Sequence, residues 1–327
     1  ENDLQMIDEV ISMTGRVIEI RLKAPSPNFL QLLAQPEFGL FRAGHGAGPM
    51  RLLDEENGLK LGVFEEPSSN DVEAEDDDRW VLINGAPAAK AIARFEAGYT
   101  NIVLNGRFYH LPLIDQSGID ANSLLLDPIA GLFGLKFISA EGFWTVPENR
   151  EILSMAIDRP ALLNSFPSVS AWKVRQKIVP EALDVEGINT RPDWSNMTLE
   201  ARHDFARNHV RNWKASEGVI EPLSIGLPDA PGADIVFLRI RSDLRRVGLD
   251  ARQVGMKEKA NVRLIDEVAP YDSARWFLSR LTCEQTPVCL NDADMKIAEA
   301  DDATNLEIKA QLYAEAEKVL AQHYNYI

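Results

Sequence analysis

The residues best placed to do chemistry are the acidic pair Asp266-Glu267, near the end of the run Val262 to Val268. Two carboxyl groups about 5–10 Å apart across one bond can work as acid and base. Neighbours on a strand, however, point to opposite faces. The pair therefore needs a further partner before it reads as hydrolytic. Three tryptophans, Trp144, Trp172 and Trp276, lie in polar or proline-rich settings outside the strongest helical patterns. They are candidates for the apolar wall of a cleft, which needs such walls and a few polar anchors.

Other chemistries find little support. The histidines are His45, His110, His203, His209 and His323, and no HExxH occurs. His203 and His209 do not share a helical face and read as surface residues. There is no GxSxG nucleophile elbow. The turn Ala43-Gly-His-Gly-Ala-Gly-Pro49 lacks the Lys-Ser/Thr of a phosphate loop and carries Pro49 where a helix would open. It reads as a structural turn. Cys283 and Cys289 have C-x5-C spacing, unlike the usual zinc pairs. On spacing alone they are either two free thiols or a local disulfide.

The 327 residues are 45% hydrophobic and 26% charged, enough for one large or two medium domains with real cores. A net charge of −16 excludes an obvious nucleic-acid or anionic-membrane surface, because phosphate contacts need clustered Lys and Arg. No apolar run is long enough for a transmembrane helix. The start, Glu1-Asn-Asp-Leu-Gln, carries neither an initiator Met nor a signal peptide and reads as a processed or engineered fragment.

The elements that must position these residues can be read from periodicity. Val17 to Lys23 alternates as a strand, and Asn28 is placed to cap a short helix through Leu33. The acidic stretch 65–79 reads as an exposed loop without the ligand spacing of a calcium site. Trp80 to Asn84 (strand), Ala86 to Ala97 (helix, stopped by Gly98) and Ile102 to Leu104 (strand) suggest a β-α-β unit. Gly131 to Ile138 reads as a buried strand. The following helix starts at Pro147 and is broken or reset at Asp158-Arg-Pro160.

Thr198 caps a helix to Trp213, with Leu199, Phe205, Val210 and Trp213 as its apolar stripe. Leu223 to Leu227, a helix over Gly232 to Val247 and Leu249 to Val254 form a second strand-helix-strand unit. That helix should turn Ile235, Leu238 and Leu244 inward. Val262 to Val268 is a strand, Ala274 to Leu281 a short helix and Leu306 to His323 a long one. Tyr324 to Ile327 resembles the start of a strand that has lost its pairing partner.

Several of these segments, in order, resemble the family 5 extracytoplasmic solute-binding proteins of ABC importers, the class that includes peptide-binding members. They are Val17 to Leu30, Gly46-Ala-Gly-Pro-Met-Arg-Leu52, Ala91 to Val103, Leu135 to Leu163, Ile225 to Val254 and Tyr271 to Leu278. The resemblance implies a periplasmic-binding-protein-like α/β fold (type II, cluster C) with two lobes closing on a ligand. Residues 1–104 would be a partial first lobe with hinge, lacking its N-terminal part. Residues 105–327 would be a nearly complete second lobe, without the family's C-terminal return strand.

The resemblance further implies a monomeric, periplasmic or extracytoplasmic binding protein that performs no reaction. It would use no cofactor or metal, bind no nucleic acid, and deliver a peptide or other small molecule to a membrane permease. Its oxidising compartment favours a Cys283–Cys289 disulfide. Peptide-binding members place an Asp just before the region matched by Tyr271 to Leu278, where this chain has Pro270. Asp266 or Glu267 could take that place from upstream. The expected ligand-binding residues are Arg263, Asp266, Glu267, Tyr271, Trp276, Trp144 and Trp172. Sugars, opines and metal chelates stay open as ligands, and an acidic hydrolase or a sensing domain of the same fold as alternatives.

Overall fold

Leu223-Ser-Ile-Gly-Leu227 is buried at every position, the mark of a strand covered on both faces. It is one of the two inner strands of the main sheet. In this computed structural model the described residues are 4–42, 45–46, 50–56, 59–64, 80–169, 172–181, 183, 185 and 190–327. In chain order they form β1 Ile7–Thr14, β2 Val17–Leu22, α1 Phe29–Leu33, β3 Phe41–Arg42, β4 His45–Gly46, β5 Met50–Glu56, β6 Leu59–Phe64, β7 Trp80–Asn84, α2 Ala88–Glu96 and α3 Leu111–Asp115. Next come β8 Gly131–Phe137, α4 Pro147–Ala156, α5 Arg159–Leu163, α6 Leu199–Ser216, β9 Leu223–Leu227, α7 Pro231–Arg246, β10 Ala251–Gly255, β11 Val262–Val268, α8 Ala274–Ser279, α9 Asn291–Asp302 and α10 Leu306–Gln322.

The main sheet has the order β10-β9-β11-β8. β9 pairs in parallel with both β10 and β11, whereas β8 runs antiparallel to β11. The expected strand-helix-strand unit is therefore present as β9-α7-β10. Two apolar clusters sandwich the sheet. One joins Leu135, Phe137, Val262 and Leu264 to Ile152 and Leu153 of α4, Val210 of α6 and Ile240 of α7. The other joins Leu132 and Ile265 to Trp276 and Phe277 of α8, Ile297 of α9 and Leu320 of α10. Leu32 of α1 is 1% exposed in the second cluster, so the N-terminal segment packs on this layer. β1 and β2 form an antiparallel pair, and β5-β6-β7 an antiparallel meander.

Local signals explain the helices near the sheet. Pro147 occupies the first turn of α4, where its missing N–H costs nothing. The break at Ile157-Asp158 is clean, because the Asp158 carboxylate caps α5 by accepting from the Ala161 amide at 3.1 Å. Thr198 caps α6 in the same way through the Ala201 amide. Gly248 ends the turn after α7 at φ 84°, in the left-handed region that favours glycine.

Several expectations need correction. Asn28 precedes α1 but makes no capping bond; its amide donates to the Asp272 carbonyl instead. Residues 102–104 form no strand, and β7 pairs antiparallel with β6, so 80–104 is not a β-α-β unit. Phe205 (53% exposed) and Leu238 (61%) face outward. Ala206 of α6 and Val236 and Phe237 of α7 are buried instead. His203 is buried, not on the surface, and its Nε2 donates to the Ala156 carbonyl at 2.7 Å.

The C-terminal residues have a partner after all. Leu135 donates to the Ile327 carbonyl at 2.7 Å, Ile327 donates to the Leu135 carbonyl at 2.9 Å, and Phe137 donates to the Asn325 carbonyl at 2.9 Å. They extend the sheet beyond β8. Residues 43–44 and 47–49 of the glycine-rich turn and the acidic stretch 65–79 lie outside the described residues.

Candidate functional site

Strand alternation sorts the candidate residues of β11 onto two faces. Asp266 pairs in register with Phe133 of β8, and Glu267 with Leu132. Asp266 stands close to Arg107, whose Nη1 lies 3.7 Å from its Oδ2 and donates to its carbonyl at 3.3 Å. Oδ2 is enclosed, yet it accepts no hydrogen bond among the described residues. Burial pushes the Asp266 carboxyl above its ordinary pKa, against the pull of Arg107, and the charge of Glu267 adds to the rise.

Beside this carboxylate stands an aromatic group. Phe133 is 42% exposed and meets Phe108 edge to face at 4.7 Å between centroids. Trp172, 38% exposed, lies 6.5 Å from Phe133. Phe108 itself is buried, held where residues 108–109 press on the start of α7. Gly232 permits that approach, since a Cβ there would come within 2.5 Å of Tyr109 Cα and 2.9 Å of the Phe108 carbonyl oxygen. The cluster lies toward the carboxyl end of β11, where open α/β sheets bind their ligands.

The opposite face holds a different set. The Glu267 carboxylate lies 3.3 Å from Arg280 Nε, and the Arg280 guanidinium sits 4.9 Å over the Trp276 ring. Lys136 donates to the Arg280 carbonyl at 3.2 Å, and burial lowers its pKa. Arg263 shares this face and donates to the Glu258 carbonyl at 2.9 Å. Asp266 and Glu267 are thus directed to separate cations on separate faces and do not flank one bond.

Two of the candidate tryptophans are packing residues. Trp144 is 3% exposed, wedged edge to face on Phe143, and Trp276 is 1% exposed in the second cluster. The polar neighbours of Trp144 belong to the short turn before α4, and those of Trp276 to α8 and its capping residue. Tyr271 is 5% exposed and lines a cavity of about 220 Å³ with Lys23, Asn28, Arg275, Asp301 and Tyr313. A larger depression of about 490 Å³ lies past the far end of β8, bounded by Ser139, Glu141, Arg150, Val288 and Cys289. Neither is lined by Asp266, Phe133 or Trp172.

Cys283 and Cys289 are joined, with an S–S distance of 2.07 Å. The closed loop presents Thr286, whose hydroxyl donates to the Phe137 carbonyl at 2.8 Å, and Val288, whose carbonyl accepts from the Asn325 side chain at 3.2 Å. The loop bearing Trp172 is held from the other layer. Glu317 of α10 accepts the Ile178 and Val179 amides, each at 3.0 Å.

Arg107, Phe108 and Phe133 escaped the sequence reading. The string Arg107-Phe-Tyr-His110 carries a cation beside aromatics outside any periodic element, which is the available signal. Nothing in the sequence marks its approach to Asp266. No group of His, Cys, Asp and Glu suited to a metal ion occurs among the described residues.

No protein-family model matches the sequence, and no curated protein matches it. Solved structures do match in fold. OppA from Burkholderia pseudomallei superposes with a TM-score of 0.70 at 17% identity, covering 97% of this chain and 68% of its own. The Escherichia coli murein tripeptide binding protein MppA gives 0.72 at 17% identity, over 97% of this chain and 67% of its own. The periplasmic binding protein DppA from Helicobacter pylori, in complex with the peptide STSA, gives 0.68 at 13% identity, over 100% of this chain and 69% of its own. With its α/β sandwich and residues 325–327 pairing on β8, the chain has the periplasmic-binding-protein fold.

Proposed function

We propose that this protein is the solute-binding component of an ABC importer, holding a peptide between two lobes and passing it to a membrane permease. Residues 1–104 contribute to the first lobe and 105–327 make up the second. The protein acts as an extracytoplasmic monomer and catalyses no reaction. The observation that carries the reading is the enclosed, donor-free Oδ2 of Asp266 beside the exposed rings of Phe133 and Trp172, in a chain of this fold. A buried acceptor left unpaired costs about 1–3 kcal/mol, which a ligand ammonium would relieve. The aromatic surfaces suit an apolar side chain next to that ammonium. Asp266, rather than Glu267, is the anchor, because Glu267 is directed to Arg280 on the other face. For the same reason the hydrolase alternative lacks its pair of facing carboxylates.

The test is thermal unfolding of the full-length protein against a library of short peptides, sugars, opines and metal chelates, followed by calorimetry. Peptides with a free amino end should raise the unfolding midpoint without being consumed. Asp266→Asn should weaken them about tenfold or more, consistent with a charge-assisted bond of about 1.5–3 kcal/mol. Stabilisation by a non-peptide class alone, or peptide turnover, would overturn the proposal.

A further inference from the structure

We infer that Arg107 is an internal competing cation, which occupies the field of Asp266 in the empty protein and lowers the affinity for amine-bearing ligands. The inference rests on the reading of Asp266 as the anchor. Its support is geometric. Arg107 Nη1 is 3.7 Å from Oδ2, close enough to attract and too far to hydrogen-bond. The same nitrogen instead donates to the Asp266 backbone carbonyl at 3.3 Å. The guanidinium is thus tethered beside the carboxylate and leaves the enclosed Oδ2 without a hydrogen bond. Arg107 is the cation that pairs with the Asp266 carboxylate among the described residues, and its side chain is 47% exposed, free to swing into solvent.

An incoming ammonium would have to reach the enclosed, unpaired Oδ2 and would meet repulsion from the tethered guanidinium beside it. Binding should therefore require Arg107 to move away. Arg107 follows Asn105, at φ 62°, and Gly106 in a segment without regular structure, so its displacement disrupts no helix or strand. The device would filter ligands. A single weakly held amine competes poorly with Arg107, whereas an amine attached to an apolar group also gains contact with Phe133 and Trp172. Arg107 is then a selectivity residue, and its removal should broaden the range of amines accepted.

The test uses calorimetry on the full-length protein with a tripeptide found in the library screen, in free-amine and N-acetylated forms. Arg107→Met keeps the length of the side chain and removes its charge. It should tighten the free-amine peptide about two- to fivefold, the scale of an exposed ion pair, and leave the acetylated peptide unchanged. Arg107→Lys should restore wild-type affinity, and in Arg107→Met/Asp266→Asn the tightening should vanish. A purely structural role for Arg107 would shift both peptides together and would not be rescued by Lys. Equal or weaker binding of the free-amine peptide by Arg107→Met, with an unchanged unfolding midpoint, would refute the inference and leave the transport reading standing. Failure of every peptide to bind either protein would overturn both.

Discussion

Glu317 offers the sharpest test of how the two layers are coupled. It is 3% exposed on α10, and its Oε1 accepts both the Ile178 and Val179 amides at 3.0 Å. Glu317→Ala would strand two buried N–H groups, at about 1–3 kcal/mol each, so a loss of about 2–5 kcal/mol is expected. Glu317→Gln keeps a carbonyl oxygen for both amides and removes a buried charge, so it should lie within about 1 kcal/mol of wild type. The pH dependence separates these effects. Burial raises the Glu317 pKa, against the pull of the Val179 amide and Lys177. A carboxyl raised above its unfolded value gives stability that is full below the unfolded pKa of 4.5 and is lost as pH rises through the folded value. The wild-type protein should therefore gain on Glu317→Gln as pH falls across that window. Urea unfolding between about pH 4 and 8 measures this, with hydrogen exchange at Ile178 and Val179 reporting the local anchor. A Glu317→Ala loss below about 1 kcal/mol with both amides still protected would refute the reasoning.

Three further outcomes follow from the same geometry. Trp144→Ala should cost about 3–5 kcal/mol by urea unfolding, whereas Trp172→Ala should cost far less and instead weaken peptides with an apolar first residue. Replacing Cys283 and Cys289 by Ser should lower stability by about 2 kcal/mol, the loop-closure value for so short a ring, with faster amide exchange at Phe137 and Ile327 as the local readout. Gly232→Ala should cost about 1–3 kcal/mol, because its Cβ meets backbone at Tyr109, and should loosen the packing of Phe108 seen by its ring NMR signals.

The legible parts of the chain are those whose signals are local. Leu223 to Leu227 reads as a strand because every residue is apolar or small. The run is followed by Pro231 at a helix start and Gly248 after its end, so β9-α7-β10 could be written from sequence. Phe205 and Leu238 misled because an apolar stripe counted on a helix does not say where neighbouring helices lie. Buried Ala206 and Val236 took the contact surface instead. Ile102 to Leu104 looks like a strand by composition, but pairing is a tertiary decision. The candidate site was half visible. Asp266 and Trp172 could be named from their types. Arg107 sits 159 residues from Asp266 in sequence, and no periodicity links residues so far apart. Trp144, in a short turn, and Trp276, in α8, are both buried, because polar sequence neighbours do not decide which side chain the element turns inward.

The pairing of Asn325 and Ile327 with β8 has a consequence for the order of events in synthesis. β8 leaves the ribosome well before its bonded neighbours on the two sides, Val262–Val268 and residues 325–327. A nascent chain holds an apolar strand with both edges bare until more than a hundred further residues have been made. Closing such distant pairs is slow, and bare edges recruit other chains in the meantime. Nascent chains stalled between β8 and Asn325 should therefore be aggregation-prone, and holdase binding should fall once residues 325–327 have been made.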